Sequence, residues 1–206
     1  NENPNSYQNR GVLYGSIGQH ENAVADFSKA IELNPHHAQT YFDRGVSHHK
    51  LGSRDRSLAD FTKAIKLDSK LAGAYSNRGV IQHESGNHQN AIDDFTKAIE
   101  LDPKFAPIYI IRGNIYRHLR DLHRAIEDYS EAIKLNPQLR DAYMNRGVLY
   151  GENGEHQLAI QDFSQVIDIN PDVAQTYVIR GNLYRHLDWS QEALNDYSKA
   201  IELNPD

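Results

Sequence analysis

The segment Tyr109–Pro137, YIIRGNIYRHLRDLHRAIEDYSEAIKLNP, holds two amphipathic stretches around a short turn. In each stretch apolar and small residues recur at i, i+3, i+4 and i+7, the spacing of one helix face. The rest of the chain varies this segment. Gly113 has equivalents at Gly11, Gly45, Gly79, Gly147 and Gly181, each 34 residues from the next. A fixed period of that length, with a helix-turn-helix pattern inside it, marks an array of helical repeats. With the recurring glycine placed at position 8 of 34, six repeats run over residues 4–37, 38–71, 72–105, 106–139, 140–173 and 174–206. They are read as a single array over 4–206.

Such an array grows by stacking neighbours, so it needs no single central core. Position 4 is tyrosine in every repeat, from Tyr7 to Tyr177. Position 24 is always aromatic: Phe27, Phe61, Phe95, Tyr129, Phe163 and Tyr197. Position 28 is always isoleucine, and positions 20 and 27 are small except at Val166. The large residues act as knobs, and the small ones let helices approach closely. Position 32 is proline in five repeats, just beyond the second helix, where proline stops a helix; repeat 2 has Ser69 there instead. Position 15, in the turn, is glycine in four repeats (Gly18, Gly52, Gly86, Gly154) but Arg120 and Asp188 in the other two. A left-handed residue closing the first helix suits glycine, so a different turn is expected at Arg120 and Asp188.

These residues resemble the tetratricopeptide repeat family over nearly the whole chain: glycine at position 8, small residues at 20 and 27, an aromatic at 24 and proline at 32. The departures are Ser57, Val166 and Ser69. The resemblance implies an all-α fold, an α-solenoid whose twelve antiparallel helices wind into a right-handed superhelix, with the first helix of each repeat lining a concave groove. No polar capping helix follows Pro205. Terminal repeats normally carry one, so the chain is expected to be a segment of a longer array or to stack end to end on another copy.

Composition limits function. Net charge is −6, from 22 Lys+Arg against 28 Asp+Glu, which argues against a broad nucleic-acid footprint. The chain has no cysteine, which removes disulfide and thiolate chemistry without naming a compartment. No apolar run approaches the roughly 20 residues that span a bilayer, and no signal peptide is visible. The reading is a soluble protein with no membrane association, the cytoplasm slightly favoured. The only methionine is Met144, so the original N-terminus is expected to be missing or processed.

Position 7 is arginine and position 23 aspartate in every repeat. Arg44 with Asp60, Arg78 with Asp94, Arg112 with Asp128 and Arg146 with Asp162 are therefore expected to pair across the two helices of a repeat, since a planar guanidinium takes a carboxylate with two bonds. The competing reading is an arginine row for anionic ligands. The structural role is preferred, because an unpaired arginine at the edge of a core is costly.

Positions that line the groove in this family vary here, and function is expected there. Positions 5, 6 and 9 give an apolar stripe with interspersed amides, and Phe42, Asn77, Ile110, Asn114, Met144, Asn145, Val178 and Asn182 are the candidate peptide-binding residues. Apolar contacts would supply affinity, and amides would pair with a peptide backbone. The plainer reading packs positions 5 and 9 against the neighbouring first helix. The two-carboxylate clamp that some members use for chaperone tails needs lysines and asparagines at set positions. No window supplies them: Gln8, Val12, Asp43, Gly73 and Asn77 stand there in the first.

The eleven histidines include His20, His88 and His156 at position 17, where solvated turn residues are expected, and no metal-ligand motif accompanies them. Arg117, His118, Arg185 and His186 could face a phosphate, but the acidic balance and nearby Glu84 and Glu152 weigh against it. No nucleophile elbow or phosphate loop is present, so no catalytic residue, metal or cofactor is expected. The sequence thus predicts a non-enzymatic scaffold for a protein or peptide partner. The alternatives are a self-assembly module stacking through its terminal repeats, or the binding arm of a larger enzyme.

Overall fold

A computed structural model describes residues 2–205. Twelve helices, α1 to α12 in chain order, account for the regular structure of the described residues. The first helices of the repeats are α1 (Pro4–Ser16), α3 (Ala38–Lys50), α5 (Ala72–Glu84), α7 (Ala106–His118), α9 (Arg140–Glu152) and α11 (Ala174–His186). The second helices are α2 (His20–Leu33), α4 (Arg54–Leu67), α6 (His88–Leu101), α8 (Leu122–Leu135), α10 (His156–Ile169) and α12 (Ser190–Leu203). The described residues divide between Pro103 and Lys104 into two compact units, each of three helix pairs. Within each unit a helix packs against its partner in the repeat, and the second helix packs against the first helix of the next repeat. This is an all-α solenoid.

The ring at position 24 is the centre of each repeat. Phe61, Phe95 and Tyr129 are fully buried, and Phe27 and Phe163 nearly so. The glycine at position 8 is what lets the ring in: a Cβ on Gly113 would stand 2.8 Å from Tyr129 Cε1, closer than packed atoms come. The small residues beside the ring, Ala91, Ala125 and Ala159, have no exposed surface. Ser57 replaces alanine at this position without an unsatisfied group, because its Oγ donates to the Gly45 carbonyl at 2.7 Å. Helix α4 ends at Leu67 although Ser69 replaces proline. The residue two before position 33 explains this: Asp68 Oδ1 accepts from the Lys70 N–H at 2.9 Å, as Asn136 Oδ1 does from Gln138 N–H at 3.0 Å. These side chains offer the backbone a turn in place of another helical residue.

The turn between the two helices corrects one expectation. Arg120 and Asp188 adopt φ of 63° and 61°, in the same left-handed region as Gly18, Gly52, Gly86 and Gly154. The hydrogen bonds are the same too. Arg120 N–H donates to Arg117 O at 3.0 Å and Asp121 N–H to Tyr116 O at 2.9 Å, matching Gly52 N–H to His49 O and Ser53 N–H to His48 O. The paired bonds and the packing on either side hold the turn, and the non-glycine residue absorbs the strain. Arg120→Gly is therefore expected to stabilise the protein by about 0.5–1 kcal/mol, the relief of strain less the extra chain entropy of glycine. Thermal denaturation checks this; an unchanged or lower midpoint would show that Arg120 is not strained.

Candidate functional site

The arginines of position 7 have their donors and faces occupied by the protein. Arg44 Nε and Nη2 donate to Asp60 at 2.9 and 2.7 Å, Arg78 to Asp94 at 2.8 and 2.7 Å, and Arg146 to Asp162 at 2.9 and 2.7 Å. Arg112 binds Asp128 in the same two-bond manner. Nη1 reaches back to a hydroxyl of the preceding repeat: Arg44 to Ser28 at 3.1 Å, Arg146 to Ser130 at 2.9 Å and Arg180 to Ser164 at 2.9 Å. Each guanidinium also lies over the position-4 tyrosine, as Arg146 lies 5.9 Å from the Tyr143 ring centroid. Burial pushes the Asp128 and Asp162 carboxyls up, against hydrogen bonds and charge from Arg112 and Arg146 that pull them down. The arginines stay charged: burial is the largest single effect at Arg112 and lowers it, but the hydrogen bond and charge of Asp128 raise it on balance, and at Arg146 the hydrogen bond to Asp162 leads and raises it. Arg44, Arg146 and Arg180, engaged in this way, have little left for an anionic ligand; Arg10, 57% exposed, is the open end of the row. The hydroxyl at position 25 escaped sequence reasoning, although its recurrence one residue after each aromatic was visible.

The candidate peptide-binding residues separate into two groups. The apolar ones are half-buried. Phe42 tilts against Phe61 with ring centroids 5.7 Å apart, and a Cβ on Gly73 would lie 3.3 Å from its ring. Met144 packs with Val148 and Ile179 against the core around Phe163 and Leu183. Val178 packs against Ile167, Tyr177 and Ala200. Ile110 is half-buried as well. The apolar stripe is thus largely inter-repeat packing with its outer edge exposed.

The amides differ among themselves. Asn77 Nδ2 donates to the Gly73 carbonyl of its own helix at 2.8 Å. Asn114 and Asn182 each accept from the phenol of their own repeat: Tyr129 Oη donates to Asn114 Oδ1 at 2.7 Å, and Tyr197 Oη to Asn182 Oδ1 at 2.9 Å. Asn145 Nδ2 donates to the same Asn114 Oδ1 at 3.2 Å. Asn114 Nδ2 and Asn145 Oδ1 remain available, one donor beside one acceptor. Burial pushes the Tyr129 phenol up to about 12, so it keeps its proton and donates at any ordinary pH. The signal lies in the sequence. Asparagine stands at position 9 only where position 24 is tyrosine, and valine wherever it is phenylalanine (Val12/Phe27, Val46/Phe61, Val80/Phe95, Val148/Phe163).

Beside Asn114 and Asn145, within the second unit, is an open cavity of about 550 Å³ whose wall includes Arg117, His118, Arg120 and Glu152. The first unit has a smaller cavity of about 260 Å³ with Phe27, Phe42 and Val46 in its wall and Asp43 at its edge. Gln39 Nε2 donates to Asp43 Oδ1 at 2.8 Å, but burial is the larger effect and pushes the Asp43 carboxyl up. A raised carboxyl means the folded state favours the neutral acid. Its contribution to stability is present below the usual carboxylate range and is lost as pH rises through the raised value. Asp43→Asn should therefore raise the melting temperature at neutral pH, and the gain should vanish near about pH 3, where aspartate is neutral in both states. Asparagine at this position is accommodated in repeats 1, 3 and 5. A gain equal at both pH values would show that the charge is not its source.

The histidines of position 17 are not solvated turn residues. The Nδ1 atoms of His20 and His156 are buried without a hydrogen-bond partner. His156 stacks on His186 with ring centroids 5.2 Å apart, and His83 Nδ1 lies 3.1 Å from His88 Nδ1. They open the second helix and its first turn packs inward, which the turn-like sequence does not show. Among the described residues no three His, Asp or Glu side chains converge where a metal ion could sit. No helix of the described residues is long and apolar enough to cross a membrane.

Stacked pairs of antiparallel helices, with a polar pocket on their first helices, define a solenoid of interaction repeats. Family models described as tetratricopeptide repeat match residues 4–37, 72–105 and 141–173, then 38–71 and 174–206, and also 95–127. One described as TPR repeat matches 113–154. The chain belongs to the tetratricopeptide repeat family. No curated protein matches the sequence. Among solved structures, one described as YrrB, a TPR protein with an unusual peptide-binding site, is 27% identical, with a TM-score of 0.77 over 87% of this chain and 93% of that one. A structure of MamA protein is 27% identical, with a TM-score of 0.74 over 82% of this chain and 92% of its own. Pseudomonas aeruginosa pilF, at 19% identity, shares the fold with a TM-score of 0.78 over 98% of this chain and 92% of that chain.

Proposed function

We propose that the protein is a non-enzymatic scaffold that binds an extended segment of a partner protein on the first-helix face of its repeats. The observation that carries this reading is the amide pair of the second unit. Tyr129 fixes Asn114, and Asn114 fixes Asn145, so one donor and one acceptor stand side by side at the cavity. A peptide unit offers the complementary carbonyl and N–H, and a held amide loses little freedom on binding it. The exposed edges of Ile110, Met144 and Val178 supply apolar contact in the same unit, and Phe42 and Val46 do so in the first. The peptide-binding site reported for YrrB supports the reading by analogy of fold. The lysines of the chaperone-tail clamp are missing, so acidic chaperone C-termini are not the proposed ligand.

Selection from a random peptide library tests this. Wild-type protein is expected to enrich a motif that Asn145→Ala does not. Enrichment by both alike would remove the amides from the site, and no enrichment by either would remove the peptide.

One observation favours a second reading, self-assembly. Leu13 on α1 is 61% exposed and Ile201 on α12 is 64% exposed. The same repeat positions are buried or half-buried inside the array, at Ile81 and Leu149, and at Ile31 and Ile167. α1 and α12 are the outermost helices, so a second copy or a further repeat would each cover these faces. Light scattering decides: a mass that stays monomeric at high concentration sinks this reading.

A further inference from the structure

The cavity between α7 and α9 carries a charge pattern that a peptide backbone does not need. Arg117, His118 and Arg120 face it with Glu152 as the one carboxylate among its lining residues. Two features mark it as built for a ligand. First, Arg120 is an arginine in the left-handed conformation that glycine fills in four other repeats. Asp188 takes the same conformation through the same pair of turn bonds, so the backbone is held by the fold; what is particular to Arg120 is that its side chain lines the cavity. Second, the carboxylate already present is held loosely. Arg117 Nη2 lies 3.7 Å from Glu152 Oε1, with the two side chains 38% and 46% exposed. A pair this open and this long is worth little, so Glu152 occupies the anion position without closing it.

We propose that this cavity takes the carboxylate side chain of an Asp or Glu in the bound peptide segment, held by Arg117 and Arg120 in place of Glu152. The proposal rests on the peptide reading above and adds to it the chemistry of one ligand residue. The amide pair Asn114–Asn145 holds the backbone beside the acid, so position along the peptide and charge are read together. The arginines stand at positions 12 and 15 of the repeat, away from the positions of the chaperone-tail clamp. Glu152 acts as a gate against weak anions: a free anion must compete with it, whereas a carboxylate tethered to a bound backbone competes at high effective concentration.

The test is a peptide-library selection on the full chain and on Arg117→Gln, Arg120→Gly and Glu152→Gln, followed by affinities of the enriched peptide. The wild type is expected to enrich peptides with Asp or Glu at one fixed place. Changing that residue to Gln should weaken binding to the wild type about tenfold, the size of one charge-assisted contact, and should barely affect binding to Arg117→Gln or Arg120→Gly. Glu152→Gln should bind the acidic peptide several-fold tighter, a gain that a folding defect cannot produce. Arg120→Gly is expected to be the more stable protein, so its loss of acid preference also cannot be ascribed to unfolding. Enriched peptides without a fixed acid, or an acid whose loss Arg117→Gln and Arg120→Gly do not absorb, would overturn the proposal and leave the peptide reading standing. Loss of binding on amidation of the peptide C-terminus, and not on Glu→Gln, would overturn the side-chain assignment. The absence of any enriched peptide would overturn both readings together.

Discussion

Asp162→Ala is expected to lower the stability of the second unit by about 2–4 kcal/mol, below the range for a wholly enclosed pair because Arg146 keeps some contact with water. Asp162 is 4% exposed and Arg146 19%. Removing the carboxylate leaves a guanidinium between two helices with Ser130 as its remaining hydrogen-bond acceptor. The outer rung provides the internal control. Arg10 is 57% exposed, so Asp26→Ala leaves a charge that water can reach, and the expected loss is clearly smaller. Chemical denaturation of both variants checks this through the shift in midpoint; equal losses would show that burial of the arginine is not what makes the inner rungs costly to break. Replacing Arg146 and Asp162 together by leucine and alanine should do less harm than Asp162→Ala alone, because no orphan charge remains. The ladder is thus a device for specifying neighbours. Arg44, Arg146 and Arg180 each join the two helices of their own repeat and, through Nη1, the repeat before it.

The second large effect is expected at Asn114. Asn114→Val should destabilise by about 1–3 kcal/mol, the penalty of a buried hydroxyl without a partner, since Tyr129 has no exposed surface. Adding Tyr129→Phe should recover most of the loss, because the double variant restores the valine–phenylalanine pair found in four other repeats. A double-mutant cycle with thermal denaturation measures the coupling; additive losses would show that the 2.7 Å contact contributes nothing. The double variant is also the cleanest probe of the site. It should fold nearly as well as the parent while lacking the amide that positions Asn145, so peptide binding should fall with little change in stability.

Much of the fold was legible because its causes are local and repeated. A helix closed by Gly18 or Gly52 in the left-handed conformation, an aromatic over a glycine and an arginine opposite an aspartate each recur at a fixed place. Recurrence, four times for the turn glycine and six for the other two, turns a weak pattern into a definite one. The candidate site was legible only in part. The amides at Asn77, Asn114, Asn145 and Asn182 look alike as a list, yet one bonds its own helix, two hold phenols and one bonds a neighbouring amide. Which partner an amide finds depends on residues 15 or 31 positions away. Phe42 and Met144 likewise read as exposed until the next helix is laid beside them.

The sequence by itself determined the helices, the period, the four glycine turns and the identity of the core residues, because these follow from periodicity, glycine and side-chain volume within a single repeat. It also held the asparagine–tyrosine correspondence, though the meaning of that correspondence needed a distance. Only the tertiary structure decided that Arg120 keeps the turn of its glycine counterparts, that the apolar stripe is half spent on packing, and that Arg117 and Glu152 stand across one cavity from each other. These depend on how one repeat is rotated against the next. A pattern within a repeat specifies which face is buried, whereas the side chains that meet across two repeats are chosen by the packing of both.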